Sequence, residues 1–265
     1  MNKSVLITGA CGGMGNKTAK LLAEKGYTVF ALDKNLCESS ENIIPIQADI
    51  TNEESIINAF SLVYSRTDNL CAIIHFAGIY MLDSLVEMES ESFKKIFDIN
   101  VTGVYLINKI FLPLIKKDGR IIITTSELAP LKPLPFTGIY AVTKGALDKY
   151  AFSLCMELQL LGIHVSVLRA GAVSTAMIKE STDALENFCN KTKLYFFSGN
   201  RFRDIVNKVE ARSVLPEKIA RKVMKILQKP NPAFHYSINR NPLLLMLNLL
   251  PEKLQLKIIK SILIE

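Results

Sequence analysis

The chain has 265 residues, 49% of them hydrophobic, and a formal net charge of +7. That is ordinary size for one domain with a substantial core, and too apolar for disorder. The five cysteines, Cys11, Cys37, Cys71, Cys155 and Cys189, are odd in number and form no C-x-x-C pair, so the sequence predicts reduced thiols in a cytoplasm, no disulfide frame and no metal site.

The first apolar run is too short for a signal peptide. Charge is uneven: from Lys191 onward 15 Lys and Arg face 5 Asp and Glu, and before it 17 face 20. Two readings of the basic portion stand, a solvated face of the last helices or attraction to an anionic membrane surface or substrate. Nucleic acid is disfavoured, because no binding motif or aromatic-interleaved basic patch occurs.

Lys3 to Gly15, KSVLITGACGGMG, reads as an apolar run, a glycine-rich turn and the start of a helix. Val5, Leu6 and Ile7 are apolar at successive positions, which predicts an inner strand of a parallel sheet. Gly9 lets the chain leave that strand tightly. Gly13 and Gly15 let backbone N–H groups approach a phosphate at the positive end of a helix over Met14 to Lys25. Gly9, Cys11, Gly12, Gly13, Met14 and Gly15 are therefore candidate contacts to a dinucleotide pyrophosphate. A second strand, Thr28 to Leu32, ends at Asp33. A carboxylate there accepts hydrogen bonds from the adenosine ribose hydroxyls and repels a 2′-phosphate, which favours NAD(H) over NADP(H). Lys34 is the counter-indication, since it could pair with that phosphate.

A third strand, Ile43 to Ile46, leads to Asp49 and Ile50, candidates for the adenine amino group and ring. Asp49 also reads as a helix cap, and Thr51-x-x-Glu54 as a capping box. A helix over Glu53 to Tyr64 and a strand over Leu70 to His75 follow, the latter ending in Ala77-Gly78, small residues beside a cofactor ribose. The pattern predicts one long helix from Ser92 to Lys116. Asn100, with Gly103 three residues on, marks a special role or kink in it. Asp118-Gly119 breaks the helix before a strand over Arg120 to Thr124 that runs on to Ser126. A loop with Pro130, Pro133 and Pro135 leads to a helix that begins near Tyr140 and runs to about Leu161. Ile163 to Leu168 is a sixth strand.

Strand and helix alternate throughout, which predicts an α/β fold: a doubly wound parallel sheet, Rossmann-like, in three α/β/α layers and a single domain with a C-terminal helical extension. Residues 176–213 read as a substrate lid. A helix over Pro216 to Gln228 and a strand over Phe234 to Ile238 precede two apolar helices in 241–265. These are too short to span a bilayer and read as core, substrate cover or dimer packing, with membrane-surface docking as the second reading.

Ser126, Tyr140 and Lys144 carry a mechanism. Tyr140 and Lys144 lie one turn apart on a helix. A nearby ammonium favours the phenolate and suits Tyr140 to general acid/base work, while a serine hydroxyl can orient a substrate oxygen. Asn100 could hold a water that links Lys144 to solvent. These pieces together, Thr8-Gly9-x-x-x-Gly13-x-Gly15, Ala77-Gly78, Asn100, Ser126, Tyr140-x-x-x-Lys144 and the Gly171 to Thr175 turn, resemble the short-chain dehydrogenases/reductases over about residues 3 to 180. The resemblance implies that Asn100, Ser126, Tyr140 and Lys144 form the catalytic tetrad. It implies that Lys144 also binds the nicotinamide ribose, with Gly171, Val173 and Thr175 on the nicotinamide side and Thr175 near the carboxamide.

The chain departs from the family pattern at His75-Phe76, where asparagines are usual, and at Ala170, where proline is. Gly9, Gly12 and Gly15 also fit the epimerase/dehydratase branch, whereas Gly9, Gly13 and Gly15 fit the oxidoreductase branch, which chain length and tail favour. The tail is similar to that of hydroxysteroid and retinol dehydrogenases. The resemblance thus implies an NAD(H)-dependent oxidoreductase acting on a bulky apolar secondary alcohol or ketone, as a homodimer or homotetramer, while peripheral membrane contact through the C-terminal helices stays the second reading of the tail. A non-catalytic dinucleotide sensor or membrane scaffold, and a sugar-nucleotide epimerase, are the rival readings.

Overall fold

The computed structural model describes residues 3–208 and 212–264; residues 209–211 of the expected lid and 265 of the tail lie outside it. Seven parallel strands form one sheet in the order β3-β2-β1-β4-β5-β6-β7: β1 (Lys3–Thr8), β2 (Tyr27–Asp33), β3 (Ile43–Gln47), β4 (Leu70–His75), β5 (Ile115–Ser126), β6 (His164–Ala170) and β7 (His235–Ile238). The strands read as continuous apolar runs because both faces are covered. On one face Leu6, Phe30, Ile73 and Ile121 pack beneath α2 (Glu53–Tyr64), α4 (Gly103–Phe111) and α5 (Gly138–Leu158). On the other, Val5, Ile7, Ile74 and Ile122 pack against α1 (Gly13–Glu24) and α8 (Pro216–Gln228). The three-layer expectation holds.

Register positions the site. Thr8 pairs with Leu32 on one side and with His75 on the other. The turns after β1, β2 and β4 therefore emerge at one sheet edge, at the point where strand order reverses and an open α/β sheet leaves its crevice.

The helix expected from Ser92 to Lys116 is not one helix. α3 (Ser90–Phe97) passes through a π-helical turn, Asp98–Thr102, into α4, and a 3-10 turn over Leu112–Leu114 ends it. Ile115 is already strand, buried and paired with Leu70. Pro113 lacks the N–H that continuing the helix requires. Asp118, with φ of 64°, makes the turn within β5, and the β4–β5 register shifts there.

Residues 176–208 form α6 (Ala176–Lys191) and α7 (Phe196–Lys208). They enclose a third core in which Phe188 and Phe202 pack around Phe136, with ring centroids 4.5 and 5.5 Å apart, and Leu82, Leu185 and Leu263 complete it. Leu263 belongs to α10 (Glu252–Ile264), so that part of the tail is core. α9 (Pro242–Leu249) is not: none of its residues is buried.

Phe111 is fully buried under the sheet, and Phe111→Ala should cost about 3–5 kcal/mol of global stability. Phe188→Ala should act locally, speeding proteolysis within α6 and α7 more than it lowers the urea midpoint. Equal effects of the two variants on both measurements would show that the lid core is not a separate packing unit.

Candidate active site

Close backbone packing shapes the turn after β1. Gly9 has φ of +68°, and a Cβ there would stand 2.5 Å from the Ala77 nitrogen. A Cβ on Gly15 would lie 2.1 Å from the Gly9 carbonyl oxygen, and one on Gly13 2.6 Å from Thr175 Cγ2. At Gly12 the nearest atom would be 3.3 Å away. Of the two spacings open in the sequence, the structure thus makes Gly9, Gly13 and Gly15 the demanding set, the oxidoreductase pattern. Gly12 caps α1 with no side-chain bond, which leaves first-turn amides for a ligand.

These glycines open onto a cleft of about 640 Å³ that is also lined by Cys11, Met14, Asp33, Asp49, Ile50, Ala77, Gly78 and Thr175. It reaches residues the sequence did not point to, Lys94 and Lys95 on α3 and Met177 and Glu180 on α6. Nothing in the linear pattern marks them, because only the crossover packing brings α3 and α6 over the strand ends. Gly171 and Val173 do not line the cleft. A Cβ on Gly171 would lie 1.9 Å from the Asn239 carbonyl oxygen, and Val173 is buried and bridges Val214, so both serve the junction with the tail.

The cysteine expectation is corrected. Cys11 and Cys37 are joined in a disulfide, while Cys71, Cys155 and Cys189 are free. Spacing hid the pair, because it forms only where the β1 and β2 turns meet. Asp33 sits beside it, accepting from the Cys11 N–H at 3.0 Å and the Asn35 N–H at 3.1 Å. Ligand atoms of Cys11, Asp33 and Cys37 lie within 4.8 Å of one another, but the two sulfurs are committed to each other. Asp49 lines the cleft and also accepts from the Thr51 N–H and hydroxyl. The capping-box expectation fails: Asn52 is the N-cap of α2, accepting from the Ser55 N–H at 2.9 Å.

The catalytic candidates converge beyond Gly78. A Cβ on Gly78 would stand 3.2 Å from Asn100 Oδ1 and 3.4 Å from Lys144 Nζ. Asn100 lies in the π-helical turn and is fully buried, a placement typical of functional positions. Its Oδ1 accepts from the Ile79 N–H at 2.9 Å, and its Nδ2 donates to the Ile79 carbonyl at 3.0 Å and to Thr143 at 3.2 Å. Asn100 therefore ties the β4 turn to α5.

Lys144 is buried, donates to the Thr124 carbonyl at 3.5 Å and lies 5.6 Å from the Tyr140 ring centroid. Burial lowers its pKa to about 8. Burial also raises the Tyr140 pKa, and the neighbouring Tyr80, ring centroids 4.9 Å apart, adds to the rise while the Ser126 hydroxyl opposes it. Tyr80 itself is pushed up by burial to about 12.

His75 occupies a fully buried place. Its Nε2 bonds Asn108 Oδ1 at 2.9 Å, and Asn108 donates to the Tyr150 hydroxyl at 3.1 Å. Burial lowers the His75 pKa to about 4, opposed by Asn108. The residue is structural and neutral.

The model of the short chain dehydrogenase family matches residues 3–186, and the chain belongs to that family. It is 26% identical over 235 residues to 3-ketodihydrosphingosine reductase of Bacteroides thetaiotaomicron, covering 88% of this chain and 87% of the relative. It is 33% identical over 185 residues to mouse estradiol 17-beta-dehydrogenase 2, covering 65% of this chain and 49% of that enzyme. A short chain dehydrogenase family protein of Francisella tularensis superposes with a TM-score of 0.76 at 24% identity, covering 91% of this chain and 98% of that one. The chain is an oxidoreductase of a family that uses nicotinamide dinucleotides.

Below pH 6.5 an unfolded chain protonates His75 while the folded chain stays neutral down to about pH 4. The unfolded state then binds more protons, so stability is lost as the pH falls, by about 2 kcal/mol between pH 6.5 and 5. Urea melts should show this slope in the wild type and its flattening in His75→Gln. An unchanged slope in the variant would assign the loss to other groups.

Proposed function

We propose that the chain is an NAD(H)-dependent oxidoreductase that transfers a hydride between the nicotinamide and a bulky, apolar secondary alcohol or ketone. The observation that carries this is the grouping of Lys144 with Tyr140, and of Tyr140 with Ser126, directly behind Gly78, which lines the cleft although these three side chains do not. The residues fit a dinucleotide: Gly9, Gly13 and Gly15 hold a turn too tight for any Cβ and line the cleft at the uncapped first turn of α1, and Asp33, lining the same cleft, is a carboxylate suited to the ribose hydroxyls. First-turn amides of α1 would hold the pyrophosphate, Asp33 the adenosine ribose, and Lys144 and Thr175 the nicotinamide end. When bound, that group supplies or accepts the hydride.

Tyr140 gives or takes the proton of the substrate oxygen, and Ser126 orients that oxygen. Burial holds Tyr140 protonated, and the Ser126 hydroxyl works against that burial. Asn100 is a positioning residue through Ile79 and Thr143. Tyr80 packs against Tyr140 and onto an apolar core of Leu82, Leu134 and Phe136, and these apolar surroundings support an apolar substrate. The exposed face of α4 and α5 carries Tyr105, Phe152 and Met156, which supports a homodimer there.

The tail supports peripheral contact with membranes. The outward face of α9 is Pro242, Leu243, Met246 and Leu249, with Leu249 84% exposed, and Lys253, Lys257 and Lys260 follow on α10. Apolar insertion beside lysines suits an anionic bilayer surface. Among the described residues no helix is long and apolar enough to cross one.

NADH and NADPH oxidation over a panel of steroid, retinoid and acyl ketones should show turnover with NADH, reduced about 100- to 10,000-fold in Tyr140→Phe. Equal rates in the variant would remove Tyr140 from the mechanism, and tighter NADPH than NADH binding would overturn the Asp33 argument. The protein should sediment with phosphatidylserine-containing vesicles and not with pure phosphatidylcholine, and Met246→Glu with Leu249→Glu should abolish it. Sedimentation unchanged in that variant would refute the membrane contact.

A further inference from the structure

Cys11 and Cys37 stand outside the catalytic group, 26 residues apart in sequence with Cα atoms 5.2 Å apart. They join the two loops that share the Asp33 carboxylate. Cys11 lies in the glycine turn and donates its N–H to Asp33 Oδ2, while Asn35, in the loop that carries Cys37, donates to Oδ1. The disulfide thus clamps the two elements that orient this carboxylate.

We propose that Cys11 and Cys37 form a reversible dithiol–disulfide site that sets the adenosine end of the cleft. The bonded form holds Asp33 oriented for the ribose, and the dithiol form releases the loop over 34–42 and weakens NADH binding. This rests on the cofactor reading above.

The other ties on that loop are slight. Gln47 Nε2 donates to the Lys34 carbonyl at 3.0 Å, Lys20 and Glu38 form an exposed pair at 3.7 Å, and Ser40 bridges Ile43. An exposed ion pair holds a loop weakly, so the covalent bond is the main restraint between this loop and the glycine turn.

Both cysteines are half-buried, and Cys11 lines the cleft, so a small thiol has a path to the bond. Burial raises the Cys71 thiol to about 11 and also raises Cys189, which suppresses their thiolates and so their own exchange with the pair.

The exchange partner is a small dithiol. Its thiolate attacks one sulfur of the pair, the protein S–S bond breaks, and a mixed disulfide forms. The second sulfur of the dithiol resolves it. The two protein sulfurs take up two electrons and two protons, and the dithiol leaves as its cyclic disulfide. In the dithiol form Cys11 has an acceptor at hand, the Asn35 carbonyl oxygen, 3.2 Å from Sγ.

The test uses the full chain equilibrated with oxidised or with reduced dithiothreitol. Peptide mapping should find Cys11 cross-linked to Cys37 in the first sample and both alkylated in the second. Fluorescence titration should give an NADH Kd roughly two- to tenfold higher after reduction, the range expected from ordering one loop, and reoxidation should reverse it. Cys37→Ser should show the reduced value under both conditions. If that variant fails to fold, the two wild-type states still decide.

A Kd that is the same in both states, or both cysteines alkylated in the oxidised sample while NADH binds normally, would overturn this site and leave the cofactor reading standing. No NADH binding in either state would overturn the cofactor reading and this inference with it.

Discussion

The backbone at Gly9 lies so close to that at Ala77 that a methyl group cannot stand between them. That approach depends on the parallel register in which Thr8 meets both Leu32 and His75, and it makes the cleft. The turn after β1 must fold back at once to start α1, so its amides point outward at the strand ends. The turns after β2 and β4 then have nowhere to go but along the same edge. A dinucleotide-shaped groove is the geometric remainder of packing these turns at a switch point, and the glycines are required by backbone contact before any ligand is considered.

The catalytic end obeys a second constraint, burial of ionisable groups. Lys144 and Tyr140 are both withdrawn from water, and burial disfavours the charged form of each, lowering one pKa and raising the other. The cost is tolerated because the surroundings are polar at the right atoms: the Thr124 carbonyl for Lys144, Ser126 for Tyr140, and Asn100 tied to Ile79 and Thr143. The π-helical turn places Asn100 there. A regular helix would rotate the side chain away from Ile79, which is why an Asn and a nearby Gly looked out of place in a helical pattern.

Much of this was legible in the linear sequence. Strands buried on both faces announce themselves as apolar runs, and Leu70–His75 and Glu53–Tyr64 end where the pattern ends. The catalytic candidates stood out because the proposed chemistry is tied to a fixed helical spacing, Tyr140 to Lys144. What was hidden depends on distance in the chain. Cys11 and Cys37 meet only when two turns are brought to one edge, and Lys94, Lys95 and Glu180 reach the cleft only through crossover packing. The end of α4 was misplaced for a local reason: Pro113 and the demand of Leu70 for a strand partner outweighed an apolar helical stripe that runs on to Lys116. Asp49 shows two local roles coexisting, since it holds Thr51 and still faces the cleft.

The tail shows how packing can leave function behind. α10 contributes Leu263 to the core that also holds Phe136, Phe188 and Phe202, and Tyr80 packs on that core with its ring tilted against Tyr140. The last helix is thereby connected through aromatic rings to the proposed proton donor, and the lid cannot be described without it. α9 is held instead by polar bonds, its Asn248 accepting from the Lys132 N–H at 2.7 Å and its cap Asn241 donating to Glu127, next to Ser126. An apolar helix fixed in place by its few polar atoms, with Leu243, Met246 and Leu249 exposed and no residue fully buried, gains little from the core of its own chain. Its apolar area lowers free energy only when something else covers it, and its cap is anchored to Glu127, next to Ser126.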